Sequence, residues 1–485
     1  MAPPYQRNGK SLVSLVQTRC MVLLRFLFLG CIFLSMSVVW TQDAIPFNKG
    51  EVVERIFLKG QSGESFALYL PNSYNSKEPM PALFIFDPAA RGVVGVEAFK
   101  NAAEAVGWMV IASNDCRNGP YERSFGQANR LFANVLSRFN VDGGHIYVAG
   151  FSGGARLATT LAVLSDQIRG VIACGAAFSP NPGQIPAPGA HFAYAGIVGN
   201  RYMNFQEMRK ARDWLAKIEL PHRLFFFNGG HQWPPEEQVQ RAVHWMAFQT
   251  GAASPALHPA LYHYYFERER SLADSLFRNG RYFESAGEYQ KLIDQFGGSY
   301  PMDSARARLS RITAMGTYKK QKKLNGDLVE KEAVLRRRFS DRFRDEVEAT
   351  PPPEKFTWWQ REMARLEAKY ASSEMEGERN LAARIQNVLF AMPFEASNQW
   401  RGQNAYDKSR YCARLLTVLF PENPYTWVRL AEEYALIHKE GEVIASLEKA
   451  KELGYSKVSS LRENPLFQPY LHRDDFPFHS REQER

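Results

Sequence analysis

One stretch carries the clearest structural signal in the chain: His145-Ile146-Tyr147-Val148-Ala149-Gly150-Phe151-Ser152-Gly153-Gly154-Ala155. An apolar run predicts a buried strand, Gly-x-Ser-x-Gly follows it directly, and a helical pattern begins at once. So sharp a turn from strand to helix strains the backbone of the central residue, and the glycines at 150 and 154 carry no side chain that would clash. We therefore expect Ser152 to stand above a sheet edge at a helix N-terminus, where backbone amides favour developing negative charge.

Short β-rich runs alternate with amphipathic helical patterns from residue 51 to about residue 250, which predicts a mostly parallel sheet with helices on both faces. The runs 51–58 and 65–70, separated by a Gly-Gln-Ser-Gly turn, predict an antiparallel hairpin. The continuous apolar run 82–86 predicts a strand buried on both faces. Further strands are expected over 108–113, 145–149, 170–174, 192–198 and 222–227, and helices over 97–105, 127–139, 154–165, 205–218 and 236–249.

A chain of 485 residues is longer than a domain with a single hydrophobic core usually is, and four regions are expected. Residues 1–42 read as a signal peptide or signal anchor, 43–250 as the α/β domain, 251–260 as a linker and 261–485 as a helical domain. Arg7, Lys10 and Arg19 precede an apolar run over 21–40 and a polar exit, the pattern of a secretory signal. The run also approaches the ~20 residues that span a bilayer. A periplasmic, secreted or envelope-associated protein is expected, with membrane contact only through an uncleaved N-terminal segment.

Helical patterns with few strand signals fill the chain beyond residue 260. Two segments, 272–292 and 427–450, resemble the tetratricopeptide repeat, in which small residues let paired helices approach and large ones fill the gap. The matching positions are Leu272, Ala273, Leu276, Gly280, Tyr282, Tyr289 and Leu292, then Trp427, Leu430, Ala431, Tyr434, Val443, Leu447 and Ala450. The resemblance implies a protein partner as one candidate ligand of this domain.

The charge and cysteine patterns argue against nucleic-acid binding, a disulfide framework and a zinc site. The formal charge is +9, but the basic residues are spread along the chain, and the densest runs, 319–323 and 336–338, fall in helical patterns. They predict a solvated helix face, with an anionic partner as the alternative, and no nucleic-acid binding is expected. Cys116, Cys174 and Cys412 lack metal-like spacing, so neither a disulfide framework nor a zinc site is predicted. No nucleotide or metalloprotease motif occurs, and no metal or cofactor is expected.

A serine nucleophile needs a base, and the last predicted strand leads to one. The apolar run 224–227 is followed by Asn228-Gly229-Gly230-His231-Gln232-Trp233-Pro234 and then by a helical pattern. A histidine in the loop after the final strand is the position expected when the serine lies on a strand-to-helix turn. His231 is therefore the predicted base.

Residues 51–250 resemble an α/β hydrolase, in particular compact secreted esterases and polyester-depolymerase-like proteins whose last loop reads Gly-Gly-His-x-Trp-Pro. The resemblance implies a triad of serine, histidine and carboxylate with an oxyanion hole of two backbone amides. One amide is that of Gly153, and the other is that of Ala89 in the loop after the third strand. Asp87 stands in that loop where many relatives have a histidine.

The triad acid is where this sequence departs from the resemblance. Relatives with a comparable Asn-aromatic-x-Glu-Met ending usually carry an aspartate at the position of Tyr202. No carboxylate occurs here between Gly196 and Gln206. Three interpretations stay open. Ser152 and His231 act as a dyad with an amide or hydroxyl such as that of Tyr202 orienting the imidazole, Glu207 reaches in from the following helix, or the enzyme is impaired.

Asn114 and Arg117, after the fourth strand, lie at the sheet edge where such folds bind ligands. They are candidate substrate contacts, with a loop stabilised by Asx turns as the alternative, and Trp233 either lines the substrate pocket or packs its loop. The leading hypothesis is an exported serine hydrolase that cleaves carboxylic esters, small or oligomeric, with water as acceptor. The alternatives are a catalytically weak scaffold whose repeats bind a protein, and a serine peptidase.

Overall fold

A computed structural model of the chain describes residues 47–61, 63–119, 121–253 and 258–478. The predicted signal or anchor over 1–42 lies outside these residues. Within the described ranges, no helix has both the length and the apolarity needed to cross a bilayer.

The chain divides into two compact units, each built from more than one segment. The first runs to Gly199 and also contains Glu207–Phe227 and Gln232–Glu267. The second contains Asn200–Gln206, Asn228–His231 and the chain from Arg268 onward. Two short loops within the predicted α/β domain, residues 43–250, therefore belong to the second unit. The boundary near Glu267 falls inside a helix (Pro259–Arg278) that begins within the predicted linker 251–260.

The first unit is organised by an eight-stranded sheet in the order β1-β2-β4-β3-β5-β6-β7-β8. β1 pairs antiparallel with β2 and β2 antiparallel with β4, whereas β3 to β8 are mutually parallel. All eight strands predicted from the sequence are present, including the N-terminal hairpin. The strands are β1 Val52–Phe57, β2 Ser65–Tyr69, β3 Met80–Phe86, β4 Met109–Ser113, β5 Val141–Phe151, β6 Ile168–Cys174, β7 Ala193–Gly199 and β8 His222–Phe227.

Helices cover the sheet because its strands are apolar on both sides. Alternate strand residues such as Phe84 and Phe86 share one core cluster with apolar residues of α2 and α3 and with Leu215 of α4. On the other side, Gly95 of α1 lies against the Ile85 side chain, and α1 packs on α5. The helices are α1 Gly92–Val106, α2 Tyr121–Arg138, α3 Gly153–Leu164, α4 Phe205–Lys217 and α5 Glu236–Thr250. This is the strand order and layering of an α/β-hydrolase fold.

The second unit is helical throughout its C-terminal part. Short turns join successive helices, as between α6 and α7 and between α13 and α14, where the sequence resembles tetratricopeptide repeats. Ala431, Val443 and Leu447 are buried at the α13–α14 pair, as the pattern predicts; the repeat family itself stays a prediction. The helices are α6 Pro259–Arg278, α7 Tyr282–Phe296, α8 Asp303–Ala314, α9 Gly316–Glu348, α10 Thr357–Leu366, α11 Glu376–Gly402, α12 Tyr406–Leu419, α13 Pro424–Leu436, α14 Glu440–Glu452 and α15 Val458–Glu463.

Buried glutamates paired with arginines connect the helices of the second unit. Glu332, Glu362 and Glu433 are at most 3% exposed, and each contacts at least two arginines. Arg336 pairs with Glu332 and Arg338 with Glu362, so this part of the basic run predicted as a solvated helix face forms ion pairs with buried carboxylates. Charged side chains become buried only when partners compensate their lost hydration, and this network supplies those partners.

Candidate active site

Ser152 occupies the turn from β5 to α3. Its backbone has φ +52° and ψ −117°, in the left-handed half of the map that residues other than glycine rarely enter. The amide of Ser152 donates to the Cys174 carbonyl at 2.8 Å, which anchors the turn to the neighbouring strand β6. Strained backbone angles persist only where the surroundings enforce them, and they concentrate at functional sites. The strain predicted from Gly-x-Ser-x-Gly is therefore present at this serine.

The glycines of the motif are required by close backbone approaches. A Cβ on Gly150 would lie 2.2 Å from the Gly154 carbonyl oxygen, and a Cβ on Gly154 would lie 2.0 Å from the Phe86 carbonyl oxygen at the end of β3. The Phe86 oxygen belongs to β3 and the Gly154 oxygen to α3, so neither can move without a shift of the strand or the helix. Gly153 differs, because its closest neighbour is the side chain of Asn118.

The loop after β3 is folded around the Asp87 carboxylate, which is only 2% exposed. Asp87 accepts hydrogen bonds from the Ala89 amide at 2.8 Å, from Arg91 Nε at 2.9 Å and from Trp233 Nε1 at 3.0 Å. Burial by itself raises the pKa of Asp87, but the hydrogen bonds from Arg91, Ala89 and Trp233 outweigh it and hold the pKa below its ordinary value. In this structure the amide assigned to the oxyanion hole, that of Ala89, is thus engaged by Asp87.

Asp87→Asn is expected to lower the free energy of unfolding at pH 7 by about 1.5–3 kcal/mol, because it weakens hydrogen bonds to a buried charge. The folded pKa lies below the unfolded value of about 4. The contribution of Asp87 is therefore complete above that value and is lost as pH falls through the folded pKa. Urea unfolding from pH 7 to pH 3 should show the wild-type advantage shrinking with acidity. The exposed variant Asp213→Asn should stay within about 0.5 kcal/mol of wild type throughout, and a wild-type advantage that grew with acidity would contradict this assignment.

Trp233 connects the last loop to the nucleophile turn within the first unit. Its indole ring lies 5.3 Å from the Phe151 ring and 6.1 Å, edge to face, from the Phe99 ring. Together with its bond to Asp87, these contacts pack Trp233 against Phe151, the residue before Ser152. Its place beside the residue before the nucleophile also suits a pocket wall, so both sequence interpretations stay open.

The loop after β4 runs beside the Asp87 loop, since Ala89 and Arg117 form an antiparallel bridge and the Asn118 amide donates to the Pro88 carbonyl at 2.9 Å. The side chain of Asn114 turns towards strands β1 and β2, where its Nδ2 donates to the Glu54 carbonyl and to Ser65 Oγ. The Arg117 and Asn118 side chains are exposed. Asn118, for which the sequence carries no signal, lies against Gly153, the residue after Ser152.

Glu207, the carboxylate considered as a substitute triad acid, has partners for both oxygens in the first unit. Its Oε1 accepts from the Ala177 amide at 2.9 Å, and its Oε2 pairs with Arg156 Nη2 at 2.8 Å. Arg156 in turn donates to the Phe178 carbonyl. These contacts fix the connection after β6 to helices α3 and α4.

His231 and Tyr202 come together in the second unit. Their rings are stacked, with centroids 4.6 Å apart and an interplanar angle of 18°. Tyr202 is 1% exposed, whereas the His231 side chain is exposed. The position at which the resemblance implies a triad carboxylate is therefore filled by an aromatic face against the predicted base.

A polar cavity of about 360 Å³ also lies in the second unit. Arg201, next to Tyr202 in sequence, and Asn228, three residues before His231, contribute to its wall, and the rest comes mainly from α11. The α11 side chains include Glu376, Arg379, Asn380 and Gln386. In the part of the chain that the structure describes, no group of histidine, cysteine, aspartate and glutamate side chains is arranged to hold a metal ion.

Comparisons with known proteins give structural likeness at low sequence identity. No protein-family model matches the chain, and no curated protein matches it. Among solved structures, S-formylglutathione hydrolase from Staphylococcus aureus is 15% identical, covering 41% of this chain and 98% of its own, with a TM-score of 0.33. Est1E from Butyrivibrio proteoclasticus is 14% identical (41% and 100% covered, TM-score 0.33). An esterase from Pyrobaculum calidifontis is 14% identical (49% and 92% covered, TM-score 0.35).

Proposed function

We propose that this protein is a serine hydrolase that transfers the acyl group of a carboxylic ester to water, with Ser152 as nucleophile and His231 as base. The observation that carries the proposal is the strained backbone of Ser152, φ +52°, at the head of α3. Backbone atoms approach Gly150 and Gly154 so closely that neither position has room for a side chain. The surrounding backbone thus enforces the strained conformation of Ser152. A serine without chemistry to perform needs no such turn.

The topology of the sheet supports the pairing of Ser152 with His231. β5 and β8 belong to one parallel set, so their carboxyl ends meet the same edge of the sheet. Ser152 follows β5 immediately, and His231 comes four residues after the end of β8. Ligands of open α/β sheets bind at this edge.

In the proposed reaction, Ser152 Oγ attacks the ester carbonyl carbon while the His231 imidazole takes the hydroxyl proton. The Gly153 amide, at the N-terminus of α3, donates to the oxyanion. The second donor is the Ala89 amide once it leaves Asp87, or the side-chain amide of Asn118. The imidazolium returns its proton to the leaving alcohol, and water then hydrolyses the acyl-enzyme by the same steps in reverse.

We propose an ester with a polar or oligomeric alcohol or acyl group as the substrate. The connection from β6 to β7, residues 175–192, holds one 3₁₀ turn, Pro182–Gln184, and no inserted lid domain. A connection without a lid favours a carbohydrate or other polar ester over a long-chain lipid, and Asn114 and Arg117 stay candidate contacts for it.

The test is an ester panel on the purified full chain and on Ser152→Ala. Nitrophenyl acetate and butyrate, acetylated and feruloylated oligosaccharides and a long-chain lipid ester would be assayed with a peptide amide series. We expect hydrolysis of the short and polar esters by wild type only. Equal rates for the two proteins on every ester would refute the proposal, and cleavage of peptides in preference to esters would establish a peptidase.

A second candidate is a catalytically weak scaffold whose helical repeats bind a protein at the cell envelope. Two observations favour it: the segment Asn200–Gln206 holds no carboxylate, and both oxygens of Glu207 are engaged elsewhere. Loss of the orienting acid costs on the order of 10⁴ in turnover where triads have been dissected. Inactivity of the wild type across the panel would favour this candidate.

A further inference from the structure

The segment Asn200–Gln206 is held by its backbone, through side chains of two helices. Arg384 Nη1 of α11 donates to the Asn200 carbonyl at 2.5 Å, and Asn387 Nδ2 of the same helix donates to the Arg201 carbonyl at 3.0 Å. Arg336 Nη2 of α9 donates to the Met203 carbonyl at 2.5 Å. The acceptors are the two residues before Tyr202 and the residue after it, so the backbone on both sides of Tyr202 is fixed.

The buried carboxylate of Glu332 binds both Arg384 and Arg336 and so orients them. Glu332 of α9 is 0% exposed and accepts from Arg384 Nε at 2.8 Å, Arg336 Nε at 3.0 Å and Gln206 Nε2 at 2.9 Å. The Arg384 guanidinium also lies 4.9 Å from the centre of the Phe205 ring. Each arginine therefore joins Glu332 to a carbonyl of the segment, and the segment itself returns a hydrogen bond to Glu332 through Gln206.

The same segment holds the loop that carries His231. The Arg201 amide donates to the Gly229 carbonyl at 3.0 Å, and the Gly229 amide donates to Asn200 Oδ1 at 3.3 Å. Gly229 is two residues before His231, whose ring stacks on Tyr202. The imidazole is thus restrained from two directions, by its own backbone and by the face of the Tyr202 ring.

Stability alone does not account for this arrangement. Ion pairs that are buried this deeply are often no more stabilising than apolar residues of similar volume, because both charges lose their hydration. What arginine adds is a rigid, planar set of donors that can bind a carboxylate and a backbone carbonyl at once. That geometry fixes a loop position, which an apolar contact would leave free to slide.

We propose that Glu332, Arg384, Arg336 and Asn387 of the helical region are positioning residues for the hydrolase reaction, holding Tyr202 against the His231 ring in place of a triad carboxylate. This inference rests on the proposed function and gives the helical region a role in catalysis. A loop displacement of about 1 Å at a reacting group can cost about 10²-fold in rate. The network supplies orientation only, and the proton taken by His231 goes to the leaving group.

The test compares variants on α11. Arg384→Met and the milder Asn387→Ala remove donors to the segment. Arg401→Met is the matched control, because Arg401 of the same helix pairs with the buried Glu433 and with Glu432 and makes no hydrogen bond to residues 200–206. Asn398→Ala is the corresponding control for Asn387. The double variant Arg384→Met with Glu332→Gln removes both charges and guards against a stranded buried carboxylate.

We expect Arg384→Met to lower kcat for nitrophenyl acetate by about 10- to 100-fold with little change in KM. The decrease in kcat caused by Asn387→Ala should be several-fold smaller. The kcat of Arg384→Lys should lie between those of Arg384→Met and wild type, since the ammonium group can bind either Glu332 or the Asn200 carbonyl but not both. The control variants should keep the wild-type kcat even where they lose stability. Equal kcat values for Arg384→Met and Arg401→Met would overturn the proposal.

Hydrogen exchange gives a readout that does not need activity. Peptides covering 200–206 and 228–231 should exchange faster in Arg384→Met and in the double variant than in wild type, and at the wild-type rate in Arg401→Met. Unchanged exchange in the double variant would overturn the inference even in an active enzyme. A wild type that cleaves no ester would instead refute the proposed function, while exchange would still decide whether the network holds the two loops.

Discussion

His231→Ala is expected to lower kcat for nitrophenyl acetate by about 10²- to 10⁴-fold, to the residual rate of Ser152→Ala. A serine hydroxyl is a weak nucleophile until a base takes its proton, so losing either partner removes the same transition state. For the same reason, the double variant should be no slower than either single variant. Initial rates at saturating ester, with intact folding checked by circular dichroism, measure this effect.

His222→Ala is the matched control for this prediction. His222 is the first residue of β8, and its Nδ1 bonds to the Leu220 carbonyl at 2.8 Å. Its ring therefore lies at the opposite end of the strand from the loop that carries His231. The control should keep the wild-type kcat. If His231→Ala retained more than a tenth of the wild-type kcat, the imidazole would not be the base.

Gly154→Ala is expected to destabilise the protein by about 3 kcal/mol, and more if the sheet cannot yield. The added methyl group would lie 2.0 Å from the Phe86 carbonyl oxygen, which belongs to a central strand. Relief requires a shift of α3 or β3, and either shift moves Ser152. Urea unfolding measures the loss, and the folded fraction should hydrolyse esters far more slowly than wild type.

Gly153→Ala separates crowding against backbone from crowding against a mobile side chain. Its methyl group would meet Asn118 Oδ1 at 1.9 Å, but Asn118 is exposed and can rotate away. We expect a loss of stability below about 1 kcal/mol. A Gly154→Ala protein as stable as Gly153→Ala would show that the turn is looser than its contacts indicate.

The hydrolase fold could be predicted from the sequence because its signals are local. Continuous apolar runs mark strands buried on both faces, and the glycine-rich turn after 51–58 marks the hairpin of β1 and β2. The strained turn at Ser152 was predictable from its flanking glycines, which report a close backbone approach whatever the rest of the chain does.

The surroundings of the predicted base depend on contacts that no local pattern reports. Glu332 and Arg384 lie more than 100 residues from Tyr202, and their helices carry many similar charges, so nothing in the sequence distinguishes this pair from a solvated one. Asn114 and Asn118 are the same residue type in one loop, so the sequence does not show which of them lies against Gly153. In the structure it is Asn118, whereas the Asn114 side chain bonds to Glu54 and Ser65.

Labelling with a fluorophosphonate probe, followed by peptide mass spectrometry, measures directly whether Ser152 is an activated nucleophile, because the probe reacts preferentially with activated serines. The full chain should be labelled on the peptide containing Ser152. Labelling should disappear in Ser152→Ala, slow strongly in His231→Ala and persist in His222→Ala. A folded wild-type protein that takes up no probe, or takes it up at another residue, would show that Ser152 is not the nucleophile.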